Sequence, residues 1–169
     1  MNVFIIAAVT ADGFIGKNSG HSADWTSKED KQLFVRLTKE AGVMVMGSTT
    51  FKTIGRALPG RKTIIYSSKP KAFADIEGDI EVTSESPEEL VTRLEGEGYS
   101  SLAVCGGAQI YSLFLGANVV DELYITIEPI IFGKGVPLFS SPLSVQLELL
   151  EQSMLGEQSV LLHYKVKYD

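Results

Sequence analysis

Asp30 and Phe34 stand four residues apart in DWTSKEDKQLF, a spacing that puts a carboxylate and an aromatic ring on one face of a helix. Such a pair suits a flat heterocycle, which packs on the ring and offers an amino edge to the carboxylate. Taken alone, an acid at this place complements the positive end of a helix and stays solvated; its neighbours Lys28 and Glu29 are read as solvated. Further on, MGSTTFKTIGRALPGRK places Arg56 and Arg61 on either side of a Pro59-Gly60 break. Glycine and proline this close set a tight bend, and a fixed bend can present a guanidinium fork to a planar anion. In AVCGGAQIYSLFL an apolar run meets Gly106-Gly107 and then a helical pattern. Backbone N–H groups at such a junction suit a pyrophosphate, although a bare Gly-Gly is by default a structural turn. It is not the GxGxxG fingerprint, so a Rossmann dehydrogenase does not follow. Cys105 reads as a small core residue. His21 and His163 lack the partners of metal ligands, and no GxSxG, HExxH or P-loop occurs.

Short apolar runs must position these groups. Residues 3–9, 43–46, 63–67, 80–83, 102–105 and 123–127 read as strands, several of them apolar on both faces. Runs of that kind suit strands buried between helical layers. Helical patterns fill 27–41, 49–54, 87–96 and 108–115. The first is expected to open with a capping box of Thr26 and Glu29, the third at Ser86-Pro87 with proline in its first turn. Residues 147–155 and 159–168 flank Gly156 as the arms of a β-hairpin would. This order predicts an α/β fold: a central, mostly parallel sheet with flanking helices and an antiparallel C-terminal hairpin. No repeat, low-complexity segment or linker interrupts it, so one domain is expected over residues 1–169. Between the first strand and first helix runs TADGFIGKNSGHSADW, with glycines at 13, 16 and 20. A long glycine-bearing loop is either plain surface or a mobile lid.

These segments, in this order, resemble dihydrofolate reductases over nearly the whole chain. The resemblance implies that family's three-layer fold and NADPH-dependent reduction of 7,8-dihydrofolate to tetrahydrofolate. Hydride would pass from nicotinamide C4 to pterin C6, with the N5 proton arriving from water. By the same resemblance the glycine loop closes over the nicotinamide, Ile15 and Gly16 being its apolar contact and turn. Ala7 and Ala8 match the end of the family's first strand; Ala8 is expected to meet both substrate and the cofactor carboxamide. Trp25, Asp30 and Phe34 match the family's tryptophan, pterin-binding acid and stacking phenylalanine, and Thr126 in LYITI its pterin-side threonine. Asp30, Trp25 and Thr126 are therefore the expected catalytic group. Ile54 and Leu58 would line the aminobenzoyl region. Arg61, after Leu-Pro-Gly, would grip the glutamate tail, with Arg56 nearer the rim. Gly47, Ser48, Thr49, Thr50, Ser67 and Ser68 would hold the cofactor from one side. Cys105, Gly106, Gly107, Ala108, Gln109, Ile110 and Tyr111 would hold it from the other.

The pattern departs from the family at four points. Ser48 stands where many members carry an arginine for the cofactor's 2′-phosphate, and Gln109 replaces a commonly basic position. Ser67 and Ser68 remain, with Lys69 and Lys71 close behind, so NADPH is expected while the choice against NADH stays open. Lys31 replaces a leucine, its stem available for the same packing. The active-site loop is longer than in the best-known bacterial members. Finally, VVDELYITIEPIIFGKGVPLF, with Gly133, Gly135 and Pro137, resembles the reductase domains of riboflavin biosynthesis, which share this fold. A pyrimidine reductase of that kind is the alternative, and a non-catalytic dinucleotide-binding module a third. Asp30, Phe34 and TIGRALPGR favour folate, because the riboflavin enzymes need a ribose-phosphate grip instead. The H-x-E and P-C-x-x-C of the zinc deaminases often fused to them do not occur.

Bulk properties narrow the classes. The 169 residues are 44% hydrophobic and 21% charged, inside the usual globular range. A net charge of −6 and the lack of a basic run with interleaved aromatics argue against nucleic acid as partner. A single cysteine makes no internal disulfide and fits a reducing compartment. The chain opens on a strand pattern rather than a cationic leader, and no apolar run reaches membrane-spanning length. The expectation is a cytoplasmic protein acting on a small molecule, as monomer or homodimer, without metal, membrane or nucleic acid.

Overall fold

In the computed structural model, which describes residues 1–169, the apolar runs become strands whose side chains alternate between two cores. The strands are β1 (Asn2–Thr10), β2 (Phe14–Gly16), β3 (Val43–Gly47), β4 (Lys62–Tyr66), β5 (Ile80–Thr83), β6 (Ser101–Val104), β7 (Glu122–Glu128), β8 (Val136–Pro137), β9 (Gln146–Leu155) and β10 (Ser159–Lys167). The helices are α1 (Lys28–Ala41), α2 (Ser48–Ile54), α3 (Pro87–Gly96) and α4 (Ala108–Gly116). Each strand and helix expected from the sequence lies within one residue of an observed element. The β2–β8 ribbon and the 3-10 turn Pro70–Phe73 have no counterpart among the expectations.

Eight strands form one sheet in the order β5-β4-β3-β6-β1-β7-β10-β9. Neighbours from β5 to β7 pair parallel, and β10 alone is reversed, antiparallel to β7 and β9. Val3, Ile5, Ala7 and Val9 of β1 join the core made with Leu90 and Leu94 of α3 and Phe114 of α4. Phe4 and Ile6 join the core made with Leu33 and Leu37 of α1 and Phe51 of α2. Alternate side chains of one strand thus enter opposite layers, which is why β1 is apolar throughout. The chain steps outward from β1 to β3, β4 and β5 under α1 and α2, then returns through β6 to β7 under α3 and α4. That direction reverses at β3, β6 and β1, and the carboxyl ends of strands at such a point are the usual binding place in open α/β sheets.

One expected cap is corrected. Ser27, not Thr26, caps α1, its Oγ accepting from Asp30 N at 3.2 Å. Thr26 Oγ1 instead donates to Ala23 O at 2.9 Å and accepts from Lys31 Nζ at 2.8 Å. Both hydroxyl residues have an acid three positions on, so spacing alone does not choose between them. The capping box at Ser86 and Glu89 forms in both directions. No helix is long and apolar enough to cross a membrane.

Candidate active site

Asp30 and Thr126 meet from different elements. Asp30 lies in the first turn of α1 and is 8% exposed; Thr126, on β7 beside Ala8 of β1, is 1% exposed. No cation lies within ion-pairing distance of Asp30, because Lys31 turns its ammonium back onto Thr26 O at 2.7 Å. Burial pushes the Asp30 carboxyl above its usual range; the Thr126 hydroxyl opposes this, the Glu128 charge adds to it, and Lys31 opposes it. Phe34, one turn on, is half-buried against the α1-side core, as are Ile54 and Leu58. An acid and a hydroxyl thus act on one another, and three half-buried apolar side chains pack against the core on the α1 side.

The glycine loop is pinned by an aromatic cluster. Trp25 and His21 both stand edge-on to Phe132, at 5.2 and 5.6 Å between centroids, and Lys17 Nζ lies 5.5 Å from the same ring. Trp25 Nε1 is buried without a hydrogen-bond partner, leaving a donor for a ligand. Asp12 ties the loop to the segment after β7, accepting from Phe132 N at 3.2 Å and Gly133 N at 2.7 Å. Gly135 lies so close to the Gly16 carbonyl that no Cβ would fit, so Ile15 and Gly16 are held in the β2–β8 ribbon.

Gly47, Gly106 and Gly107 converge from β3 and β6. Gly47 N donates to Gly106 O at 2.8 Å. A Cβ would sit 3.2 Å from Ile110 Cγ1 at Gly47, and 3.3 Å from Thr50 Oγ1 at Gly107. Gly106 has φ +109, and its Cβ would meet Tyr111 Oη at 3.0 Å. The Gly106–Gly107 peptide is cis. Neither α2 nor α4 has a side-chain cap, so their first N–H groups stay free at this junction. Close backbone, free donors and no intruding side chain fit a dinucleotide's pyrophosphate. Tyr111 supports the junction from below and spends its hydroxyl on Ile6 O at 2.8 Å. Cys105 is buried and its thiol pushed up by that burial, which suits packing rather than nucleophilic work. Ser48, Ser67 and Ser68 share a cleft of about 360 Å³ with Lys52 and Lys69. Thr49 and Gln109 are exposed, and Ala108 is buried.

Arg61 sits at the other end of α1. Gly60 (φ +80) brings the Pro-Gly turn against Lys39, in the last turn of that helix. Arg61 is 5% exposed. Its Nη1 donates to Pro59 O at 2.8 Å and its Nε has no partner. No carboxylate comes within ion-pairing distance, and burial pulls the guanidinium below its usual range. A cavity of about 570 Å³ opens beside it, lined by Leu58, Pro59 and Gly60 among others. Arg56 is exposed and stands apart.

Residues 2–131 match the family described as dihydrofolate reductase. The chain belongs to that family. Escherichia coli dihydrofolate reductase type A13 is 34% identical over 131 residues, covering 76% of this chain and 74% of that one. Among solved structures, Enterococcus faecalis dihydrofolate reductase complexed with NADP(H) superposes with TM-score 0.71 at 22% identity, over 99% of this chain and 97% of that one. A pyrimidine reductase-like protein from Corynebacterium diphtheriae superposes with TM-score 0.79 at 20% identity, over 99% and 92%. Both share the fold. Within this dihydrofolate reductase family member, Lys52, Phe132 and Glu128 were not among the residues expected from sequence. Lys52 follows Ser48 by one helical turn, a spacing that could have pointed to it; Phe132 and Glu128 carry no local signal.

Proposed function

We propose that this member of the dihydrofolate reductase family reduces 7,8-dihydrofolate to tetrahydrofolate with NADPH. The reading is carried by two uncompensated buried charges at opposite ends of α1. Asp30 lies in its first turn and Arg61 beside its last, roughly 13 Å apart along the axis at about 1.5 Å per residue. Phe34, Ile54 and Leu58 supply apolar surface to the same core. Dihydrofolate carries a matching series: an amino-bearing pterin, an aromatic spacer and a carboxylate tail. A ribosylamino-pyrimidine phosphate would bring hydroxyls to that apolar stretch, where unpaired polar groups are costly. The loop around Gly133 and Gly135 and the likeness to a pyrimidine reductase-like structure favour that second substrate class.

Bound NADPH would supply the hydride to pterin C6. Asp30 would bond the pterin's amino edge and, when ionised, favour the protonated substrate electrostatically. Across the ring from N5, it need not deliver the proton; water admitted by the glycine loop would do so. Thr126 would keep the Asp30 carboxyl in place, Trp25 Nε1 would offer its free donor, and Phe34 would stack on the ring and exclude water. Arg61 would pair with the tail carboxylate through charge-assisted bonds. Gly106, Gly107 and the first N–H groups of α4 would hold the pyrophosphate. Lys52 and Lys69 would supply to a 2′-phosphate the countercharge that Ser48 lacks, with the Ser67 and Ser68 hydroxyls donating hydrogen bonds. Catalysis on this account is mostly positioning.

The test is NADPH oxidation followed spectrophotometrically with dihydrofolate and, in parallel, with the ribosylamino-pyrimidine phosphate. Turnover of the pterin supports the reading; turnover of the pyrimidine alone overturns it. Cofactor binding by fluorescence without turnover of either points to a non-catalytic module.

A further inference from the structure

Glu128 ends β7 and is only 2% exposed, yet it makes no ion pair. A carboxylate persists in such a place when donors satisfy it. Ser27 N and Ser27 Oγ both donate to Glu128 Oε1 at 2.9 Å, and Ser159 Oγ donates to Oε2 at 2.6 Å. Every partner donates, which is the set an acceptor-only carboxylate takes. Ser27 is also the N-cap of α1, its Oγ accepting from Asp30 N. One carboxylate therefore joins β7, the first turn of α1 and β10. The hairpin tip also approaches that turn closely: a Cβ at Gly156 would lie 2.9 Å from Glu29 Cδ.

Glu128 and Thr126 are two apart on β7, so both side chains face α1. The groups acting on Asp30 are Thr126 and Glu128 from β7 and Lys31 from its own helix, while the Asp30 charge acts in turn on the Tyr111 phenol of α4. Lys31 is tethered to Thr26. Glu128 is thus the one carboxylate bearing on Asp30, and it acts in the same direction as burial.

We propose that Glu128 is a positioning residue of the active site: through Ser27 it fixes the first turn of α1, and so the place and surroundings of Asp30. Only the kinetic consequence rests on the dihydrofolate reading. A carboxylate that merely secured the hairpin would leave Asp30 untouched.

The test uses the full chain with Glu128→Gln, which keeps an acceptor oxygen for Ser27 and removes the charge. The Asp30 titration is followed by NMR of carboxyl-labelled aspartates, Asp30→Asn identifying the signal. The expected result is a lower midpoint, with a matching shift in the pH profile of kcat/KM for dihydrofolate. A midpoint equal to wild type overturns the proposal. Should Glu128→Gln fail to fold, Ser27→Ala decides. It is expected to lower kcat/KM about tenfold or more through misplacement of Asp30, with Ser27→Thr restoring most of it; an unchanged kcat/KM for Ser27→Ala overturns the proposal. If no dihydrofolate is turned over, the function reading fails while the titration still decides whether Glu128 acts on Asp30.

Discussion

Arg93 and Arg61 lie in the same molecule and are treated in opposite ways. Arg93, on α3, donates to Glu85 at 2.8 and 2.9 Å, to Glu97 at 2.6 Å and to Glu81. Lys62 extends the network to Glu81 at 2.6 Å and Glu97 at 3.7 Å. Their mutual bonds raise Arg93 and hold Glu85 below the usual carboxylate range. Arg61, more deeply buried, has only the Pro59 carbonyl, and burial lowers it while burial raises Asp30. Groups shifted toward their charged forms already hold their partners, and they serve to join β4, β5 and α3. Asp30 and Arg61, shifted toward their neutral forms, lack partners of opposite charge, and such groups beside a cleft point to a ligand.

The sharpest way to break this contrast is Asp30→Asn. It is expected to lower hydride transfer to dihydrofolate at neutral pH by about 10²–10⁴, read by single turnover, while Glu85→Gln keeps the wild-type rate. Near wild-type transfer in Asp30→Asn would remove the acid from the mechanism. Next comes the arginine pair. Arg61→Ala should raise KM for dihydrofolate about 10- to 100-fold, the loss of roughly 1.5–3 kcal/mol from a charge-assisted bond, with kcat little changed. Arg93→Met should leave KM alone and cost about 1–2 kcal/mol in urea unfolding, as a small network of partly exposed pairs. The opposite assignment of effects would dissolve the distinction.

Stability against pH separates the two regions with a smaller effect. Asp30, raised above 3.8, binds more protons folded than unfolded, so its contribution falls as pH rises from that value through its folded one. Asp30→Asn should abolish that fall and leave the protein at least as stable at neutral pH. Glu85, lowered from 4.5, contributes above that value and loses its contribution as pH falls through its folded one. Urea midpoints over about pH 3 to 7 show both slopes, and slopes of the same sign would contradict the comparison. The smallest effect belongs to Thr126→Val. Losing the hydroxyl that opposes burial should move the Asp30 titration further up and lower kcat/KM a few-fold, measured from the pH profile.

Much of this was legible in the residue order. The faces of β1, the helix bounds and the Ser86 cap follow from periodicity and short-range hydrogen bonding, which act within a few residues. The spacing of Asp30 and Phe34, and the Pro-Gly break before Arg61, were visible for the same reason. The cap of α1 was not, because Thr26 and Ser27 satisfy the local pattern equally. Its choice goes with Glu128, 101 positions away, which holds Ser27. Phe132 as the anchor of the glycine loop escaped likewise, since its contacts with Trp25 and His21 cross the fold.

By itself the chain determined the strands of the main sheet, its four helices and which of their faces are buried. Only the tertiary structure decided that the guanidinium of Arg61 would be left without a carboxylate and that of Arg93 surrounded by them. Secondary structure is set by neighbours along the backbone, whereas the state of a charge is set by solvent exclusion and by whatever groups folding brings beside it.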